Sequence, residues 1–461
     1  MSNGTEHKSK ADAFVFFGAS GDLAYKQIFP ALQSMVRHGK LDIPVIGVAK
    51  SNWNLDQLKA RARESCEKQP KFDEAVFEKL SSLLQYIDGD YADDTTFSAL
   101  REQLGKAERP IYYLAIPPNF FSTVIDKLAK ADCLRGARVV VEKPFGRDLA
   151  TAKQLNKTLR KHLDEHAIYR IDHYLGKETV QNLIYFRFAN PIVDAAWSNK
   201  YIESVEVTMA EVFDVADRGK LYDEEGAIRD VVQNHMLQVI SCLAMECPSS
   251  RAHKSILDER TRVLKHVKPL SPDDIVRGQF VGYHDTKGVA PESTVETFAA
   301  LKFEIANRRW EGVPFYVRVG KCLPVTITEV MVNFKPTENE ILNESQSGDE
   351  GYYRFRLSPK EEIGQGIKIK KPGEAMTGSI GELVIQPNEQ DQMPPYERLL
   401  GDAINGDSTL FSREDAVEAA WRVVDPIIGD ATPVYKYDKG TWGPSEVEEK
   451  VKPKFGWHNP K

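Results

Sequence analysis

Over the first third of the chain, short apolar runs alternate with stretches of helical periodicity. Residues 14–18 read FVFFG, a helix-like stretch follows to about His38, and IPVIGVA (43–49) is again strand-like. A helical pattern over about 55–67 and a polar connection lead to IYYLAI (111–116). After a further helix, ARVVVEK (137–143) supplies another buried strand. Such alternation predicts parallel strands joined by helical crossovers, a doubly wound arrangement ending near residue 170. Beyond it the texture changes. YIESVEVTMAEV (201–212), TFAALKFEI (297–305), PFYVRVG (314–320) and EVMVNFK (329–335) are strand-like with few helices between them, which predicts a largely antiparallel sheet. Helical segments at roughly 229–247 and 412–424 are expected to pack on it, and SQSGDEG (345–351) reads as an exposed loop.

The expected fold class is therefore an α/β Rossmann dinucleotide-binding domain followed by an α+β domain with a large, mostly antiparallel sheet. The expected boundaries are a flexible N-terminus at 1–12, the dinucleotide-binding domain at 13–170, and a substrate and oligomerisation domain at 171–461. A chain of 461 residues, 41% hydrophobic and 28% charged, is long enough for two cores. Its net charge of -7, with both signs interspersed, provides no basic footprint for nucleic acid or an anionic membrane, so neither is an expected partner. An acidic substrate would have to be held by a local pocket. Five cysteines without a C-x-x-C pair point away from a disulfide framework and towards the cytoplasm. The polar start MSNGTEHKSK and the lack of a long apolar run give no sign of export or membrane insertion.

Chemistry concentrates at the strand ends. GASGDLA (18–24) lies between a strand and a helix, where Gly18, Ala19, Ser20, Gly21, Asp22 and Leu23 would let backbone N–H groups approach a pyrophosphate, although Phe16 stands at the first glycine of G-x-G-x-x-G. After the second strand, Lys50 and Ser51 offer a cation and a hydroxyl in place of the carboxylate usual for NAD, which suits the 2'-phosphate of NADP. A solvated lysine at a strand end would look the same. LAIPPN (114–119) and VEKPFG (141–146) each run from a strand into proline. Ala115 and Pro117 are thereby placed at the cofactor crevice, and Lys143 at both cofactor and substrate. In RDVVQNHMLQVISCLAM (229–245) the apolar spacing predicts a helix with one buried stripe, and His235 lies on or beside that stripe. A buried histidine needs a partner, for which Asp172 is a candidate.

DHYLGKE (172–178), GASGDLA, EKPFG (142–146) and RDVVQNHMLQ (229–238), in this order and at these separations, closely resemble the glucose-6-phosphate dehydrogenase family, with similarity from about residue 13 to 440. The resemblance implies oxidation of β-D-glucose 6-phosphate at C1 to the 1,5-lactone, with hydride passing to NADP, NAD use left open, and no metal. It makes His235 the general base, Asp172 the acid that orients it, and His173, Tyr174 and Lys177 the groups on the 6-phosphate. Lys143 falls at the junction of sugar and nicotinamide, Glu211 and Asp230 on sugar hydroxyls, and Lys321 on a further substrate contact. Family members are commonly dimers or tetramers, so a homodimer or homotetramer is expected.

The chain departs from the family pattern in several places. Gln27 and Thr326 stand where basic residues are customary, and Lys50 where NADP-preferring members often carry arginine. Arg318 persists from the second, structural NADP site of some animal enzymes, whereas Ile327 and Met331 replace basic positions there. Two other readings remain open on the residues alone: an NAD-dependent dehydrogenase of another aldose phosphate or free aldose, and a noncatalytic regulatory paralogue.

Overall fold

The computed structural model describes residues 10–250, 252–336, 350–373, 376–387 and 393–461. The expected N-terminal tail through residue 9, and residues 345–349 of the expected loop, lie outside the described residues. The chain forms two compact units. The first contains Met1–Lys177, Pro248–Asp258 and Met393–Glu418, and the second contains Glu178–Cys247, Glu259–Gln392 and Ala419–Lys461.

A seven-stranded sheet organises the first unit. Its strands are β1 (Ala13–Phe17), β2 (Val45–Ala49), β3 (Leu84–Asp88), β4 (Pro110–Leu114), β5 (Arg138–Val141), β6 (Ile168–Ile171) and the two-residue β15 (Phe411–Ser412). The order is β15-β6-β5-β4-β1-β2-β3, parallel throughout except for β15 against β6. β1, β2 and β4 are buried along their full length, which is why they read as unbroken apolar runs: helices cover both faces. β3, absent from the sequence expectation, has the half-buried pattern of an edge strand, with Gln85 and Tyr86 partly open. Its polar content hid it.

Late segments complete this unit. The helix Pro395–Asn405 packs on the helix Phe29–Arg37, and Leu399, Leu400 and Ile404 enter the core around Phe14, Leu32 and Val45. Glu397 is fully buried there, and accepts from Ser34 Oγ at 2.6 Å with His38 Nδ1 at 2.7 Å. A buried carboxylate without such partners would be costly.

The second unit is built on a nine-stranded sheet of β7 (Ile202–Ala210), β8 (Ile275–Phe280), β9 (Phe298–Glu304), β10 (Pro314–Gly320), β11 (Ile327–Phe334), β12 (Tyr352–Ser358), β13 (Glu362–Lys370), β14 (Gly378–Ile385) and β16 (Val434–Tyr437). The order is β14-β13-β12-β11-β7-β10-β9-β8-β16, with antiparallel neighbours except for β7·β10 and β8·β16. The helix Glu414–Val424, expected to pack on this second domain, starts in the first unit and continues in the second. In the first unit the Glu414 N–H donates to Glu165 at 2.7 Å and Asn156 donates to Glu418 at 3.0 Å. No helix among the described residues is long and apolar enough to cross a membrane.

Candidate active site

In the first unit, the carboxyl ends of β1, β2, β4 and β5 lie along one edge of the sheet because the strands are parallel. That edge gathers Gly18–Leu23, Lys50, Ser51, Ala115, Pro117 and Lys143. Gly18 has φ +83, and a Cβ there would sit 2.2 Å from the Ala115 carbonyl oxygen, so only glycine fits this cradle. The amides of Gly18 and Ala19 donate to the Val48 carbonyl at 2.9 and 3.3 Å, and that of Gly21 to Gly18 O at 2.9 Å. The N–H groups that a helix start leaves over are then those of Ser20, Asp22 and Leu23, an arrangement that fits the pyrophosphate of a dinucleotide. Phe16, the departure from the glycine pattern, is buried beneath the loop and meets Phe29 edge-on at 5.7 Å. Gly47 on β2 makes room for it: a Cβ there would lie 2.8 Å from Ala19 Cβ and 3.3 Å from the Phe16 ring.

Sequence reasoning passed over the stretch Asp88-Gly89-Asp90-Tyr91, which closes this edge. The Gly18 N–H also donates to Tyr91 Oη at 2.9 Å, and Tyr91 packs its ring against Phe17 and Phe120. Asp88 accepts from the Ser51 N–H at 2.9 Å, and Asp90 is 2.7 Å from Lys50 Nζ. Ser51 Oγ bonds to Ser20 Oγ, tying the β2 end to the Gly18–Leu23 loop. The only signal for this segment was its acidity, which reads as ordinary surface until β3 is recognised.

Lys143 is half-buried immediately after Glu142. Glu142 is buried, bonds to the Tyr113 hydroxyl, and accepts from the Tyr396 hydroxyl at 3.2 Å. Burial raises its carboxyl above the ordinary range, while the two phenols pull it back down. Asp172 follows β6 and folds its own turn: its Oδ1 accepts from the Tyr174 N–H at 3.0 Å and its carbonyl from the Leu175 N–H at 3.0 Å. That turn brings His173, Tyr174 and Lys177 together. The His173 and Tyr174 rings are 5.3 Å apart, and Lys177 Nζ lies 3.8 Å over the Tyr174 ring. Lys177 immediately precedes the helix Glu178–Ala189, one residue short of the expected position in its first turn. Arg170, fully buried, is locked inward by Glu165 at 2.6 and 3.2 Å and by Asn156 at 2.9 Å.

In the second unit, β7 and β10 run parallel with Ala210 opposite Gly320, so the next residues on each, Glu211 and Lys321, emerge side by side. The Glu211 N–H donates to Gly320 O at 3.1 Å, and the Lys321 ammonium bonds to the Glu211 carboxylate. Thr326 spends its hydroxyl on the Val212 N–H at 3.1 Å, so it serves the backbone of this corner. Asp230 and His235 share one helix, but not the helix expected. Residues Ile228–Met236 form a π-helix running into the α-helix Leu237–Ala244, and every residue from Val231 to Met245 is buried. His235 is thus enclosed on all sides, whereas the sequence pattern predicted a single stripe. Gly226 breaks the preceding helix with φ 67, and Glu296 then accepts from the Ile228 N–H at 2.9 Å. Burial raises the Glu296 carboxyl. Burial also pushes the Tyr222 phenol well above its usual value, with Asp230, Glu296 and Glu211 adding their charges. Lys321 Nζ lies 5.7 Å from the Tyr222 ring.

Residues 15–182 match the family description "Glucose-6-phosphate dehydrogenase, NAD binding domain", and residues 184–458 match "Glucose-6-phosphate dehydrogenase, C-terminal domain". The chain is 41% identical over 452 residues to glucose-6-phosphate 1-dehydrogenase 1 of Mycobacterium bovis, covering 98% of this chain and 97% of that protein. A crystal structure of glucose-6-phosphate 1-dehydrogenase from Mycobacterium avium superposes with TM-score 0.91 at 41% identity, over 98% of this chain and 99% of that one. A glucose-6-phosphate dehydrogenase in complex with glucose 6-phosphate gives TM-score 0.89 at 34% identity, over 98% and 100%.

Proposed function

The chain belongs to the glucose-6-phosphate dehydrogenase family, and we propose that its own residues oxidise β-D-glucose 6-phosphate at C1 to 6-phospho-D-glucono-1,5-lactone, with NADP as the preferred acceptor. The observation that supports this reading is the DHYLGKE turn, in which His173, Tyr174 and Lys177 are neighbours in space, groups whose donors suit an anion. His235 receives the proton of the C1 hydroxyl, and Asp172 is the carboxylate assigned to orient it. As the proton leaves, the oxygen lone pair forms the C1 carbonyl and the C1 hydrogen departs with its electron pair. A bound nicotinamide would supply the acceptor for that hydride. Lys143, beside the buried Glu142, holds the reacting end of the sugar. Glu211 and Asp230 receive its hydroxyls, and Lys321 both contacts substrate and fixes the Glu211 carboxylate. Gly18–Leu23, Ala115, Pro117 and Ser51 would cradle the dinucleotide, and Lys50 would take the 2'-phosphate.

A homo-oligomeric state fits the edge of the second sheet. Ile367 and Ile369 of β13 share a face with Leu383 and Ile385 of β14 by register, and all four are exposed. A second copy of the chain covering that face would remove an apolar patch beside an open strand edge from water. The free thiols of Cys66, Cys133 and Cys322 support a cytoplasmic setting.

A spectrophotometric assay at 340 nm with glucose 6-phosphate or glucose, each with NADP or NAD, tests the reading. The highest kcat/KM is expected for glucose 6-phosphate with NADP. A preference for free glucose would overturn the phosphate assignment, and a preference for NAD would overturn that of Lys50. Light scattering is expected to give at least twice the mass of one chain.

A further inference from the structure

Beyond the carboxyl end of β2, one cation is paired with a carboxylate from the turn after β3. Lys50 Nζ is 2.7 Å from Asp90 Oδ2, and the other oxygen of Asp90 accepts from the Ala92 N–H at 2.9 Å, so the carboxylate is held by its own turn. Asp88 binds the Ser51 N–H and the Tyr86 hydroxyl at 2.9 and 3.1 Å. The turn itself is fixed. The Gly89 N–H donates to Ala49 O at 3.0 Å, Thr96 Oγ1 donates to Asp90 O at 2.9 Å, and a Cβ at position 89 would lie 2.3 Å from that hydroxyl. Asp90 therefore meets Lys50 from a rigid support, not from a wandering loop.

On the reading that Lys50 receives the 2'-phosphate, we propose that Asp90 is a positioning residue that limits the preference for NADP over NAD. The Asp90 carboxylate and the 2'-phosphate compete for the same ammonium. NADP must draw Lys50 away from Asp90 and bring a dianion towards a carboxylate that has lost its partner. NAD has no such requirement, and its ribose hydroxyls can donate to a carboxylate. Both partners are exposed, at 69% and 42% of their side-chain surface, so solvent screens the competition and the effect is modest.

Asp90→Asn tests this, because the amide oxygen retains the acceptor for Ala92 while the charge is lost. Adenosine 2',5'-bisphosphate and AMP would be titrated calorimetrically into the wild type, Asp90→Asn, Lys50→Ala and the double variant, and KM measured for NADP and NAD. Asp90→Asn is expected to tighten the bisphosphate about two- to fivefold, the scale of an exposed ion pair, to move AMP less, and to lower KM for NADP in step. In the Lys50→Ala background the gain should vanish. An unchanged ratio of bisphosphate to AMP affinity in Asp90→Asn, with Lys50→Ala still selectively weakening the bisphosphate, would overturn the role of Asp90 alone. An equal gain with and without Lys50 would show direct repulsion and overturn the competition. Equal weakening of both ligands by Lys50→Ala would instead sink the Lys50 assignment, and the proposal with it.

Discussion

Tyr91 sets its hydroxyl 2.9 Å from the backbone nitrogen of Gly18 and 3.3 Å from the Val48 carbonyl oxygen. It thereby bridges the Gly18–Leu23 loop, more than seventy residues away in sequence, to β2. Tyr91→Phe leaves the ring packing in place and removes the bridge. KM for either dinucleotide should rise about two- to tenfold, the scale of one hydrogen bond of ~0.5–1.5 kcal/mol, with KM for glucose 6-phosphate moving little. Equal effects on both substrates would assign Tyr91 to overall folding.

His235→Asn should lower kcat by about 10²–10⁴-fold, as expected for a removed general base, while binding of glucose 6-phosphate stays near that of the wild type. Equilibrium binding of the sugar phosphate and single-turnover rates separate the two effects. A near-normal kcat would eliminate His235 as base.

Lys177→Ala should raise KM for glucose 6-phosphate by about one to two decades, corresponding to ~1.5–3 kcal/mol for a charge-assisted bond, with little change for free glucose. Raising ionic strength should weaken the wild type in the same direction. Equal losses on both sugars would place Lys177 in catalysis or folding.

Glu142 is predicted to make stability fall with rising pH. Its carboxyl is raised in the folded protein by burial, so between the ordinary glutamate range near 4.5 and the higher folded value the native state binds the extra proton. Unfolding there releases a proton, and stability drops by at most about 1.4 kcal/mol per pH unit. Glu142→Gln should flatten that part of the profile in chemical denaturation at a series of pH values. An identical slope would mean the carboxyl titrates normally.

Thiol labelling should be selective. Cys66, Cys133, Cys242 and Cys322 are buried and Cys247 is exposed, and burial pushes the Cys66 thiol up to about 12. Iodoacetamide near pH 8 should modify Cys247 at least tenfold faster than the others in the native protein and all five after denaturation, as mass spectrometry of peptides would show.

The phosphate loop and the DHYLGKE turn were legible because their chemistry is contiguous: one strand-turn-helix or one tight turn holds every group. The pairing of Glu211 with Lys321 was not, since it depends on the parallel register of β7 and β10, strands separated by more than a hundred residues. The π-turn around His235 escaped for a different reason. Its apolar spacing satisfies an ordinary helix, and the glycine break at Gly226 with the Glu296 cap becomes visible only once Glu296 is brought to the helix start. Asp90 and Tyr91 were hidden by β3, an edge strand too polar to announce itself.

The dinucleotide-binding unit draws its closing helix, Pro395–Asn405, and its edge strand, Phe411–Ser412, from far along the chain. During translation its first 177 residues must therefore wait while roughly 240 more are added, about 12 to 50 s at ~5–20 residues per second. In that interval the apolar flank of the helix Phe29–Arg37 and the open edge of β6 have no partner of their own chain. The nascent enzyme is thus most exposed to aggregation, and most dependent on chaperones, late in synthesis rather than early.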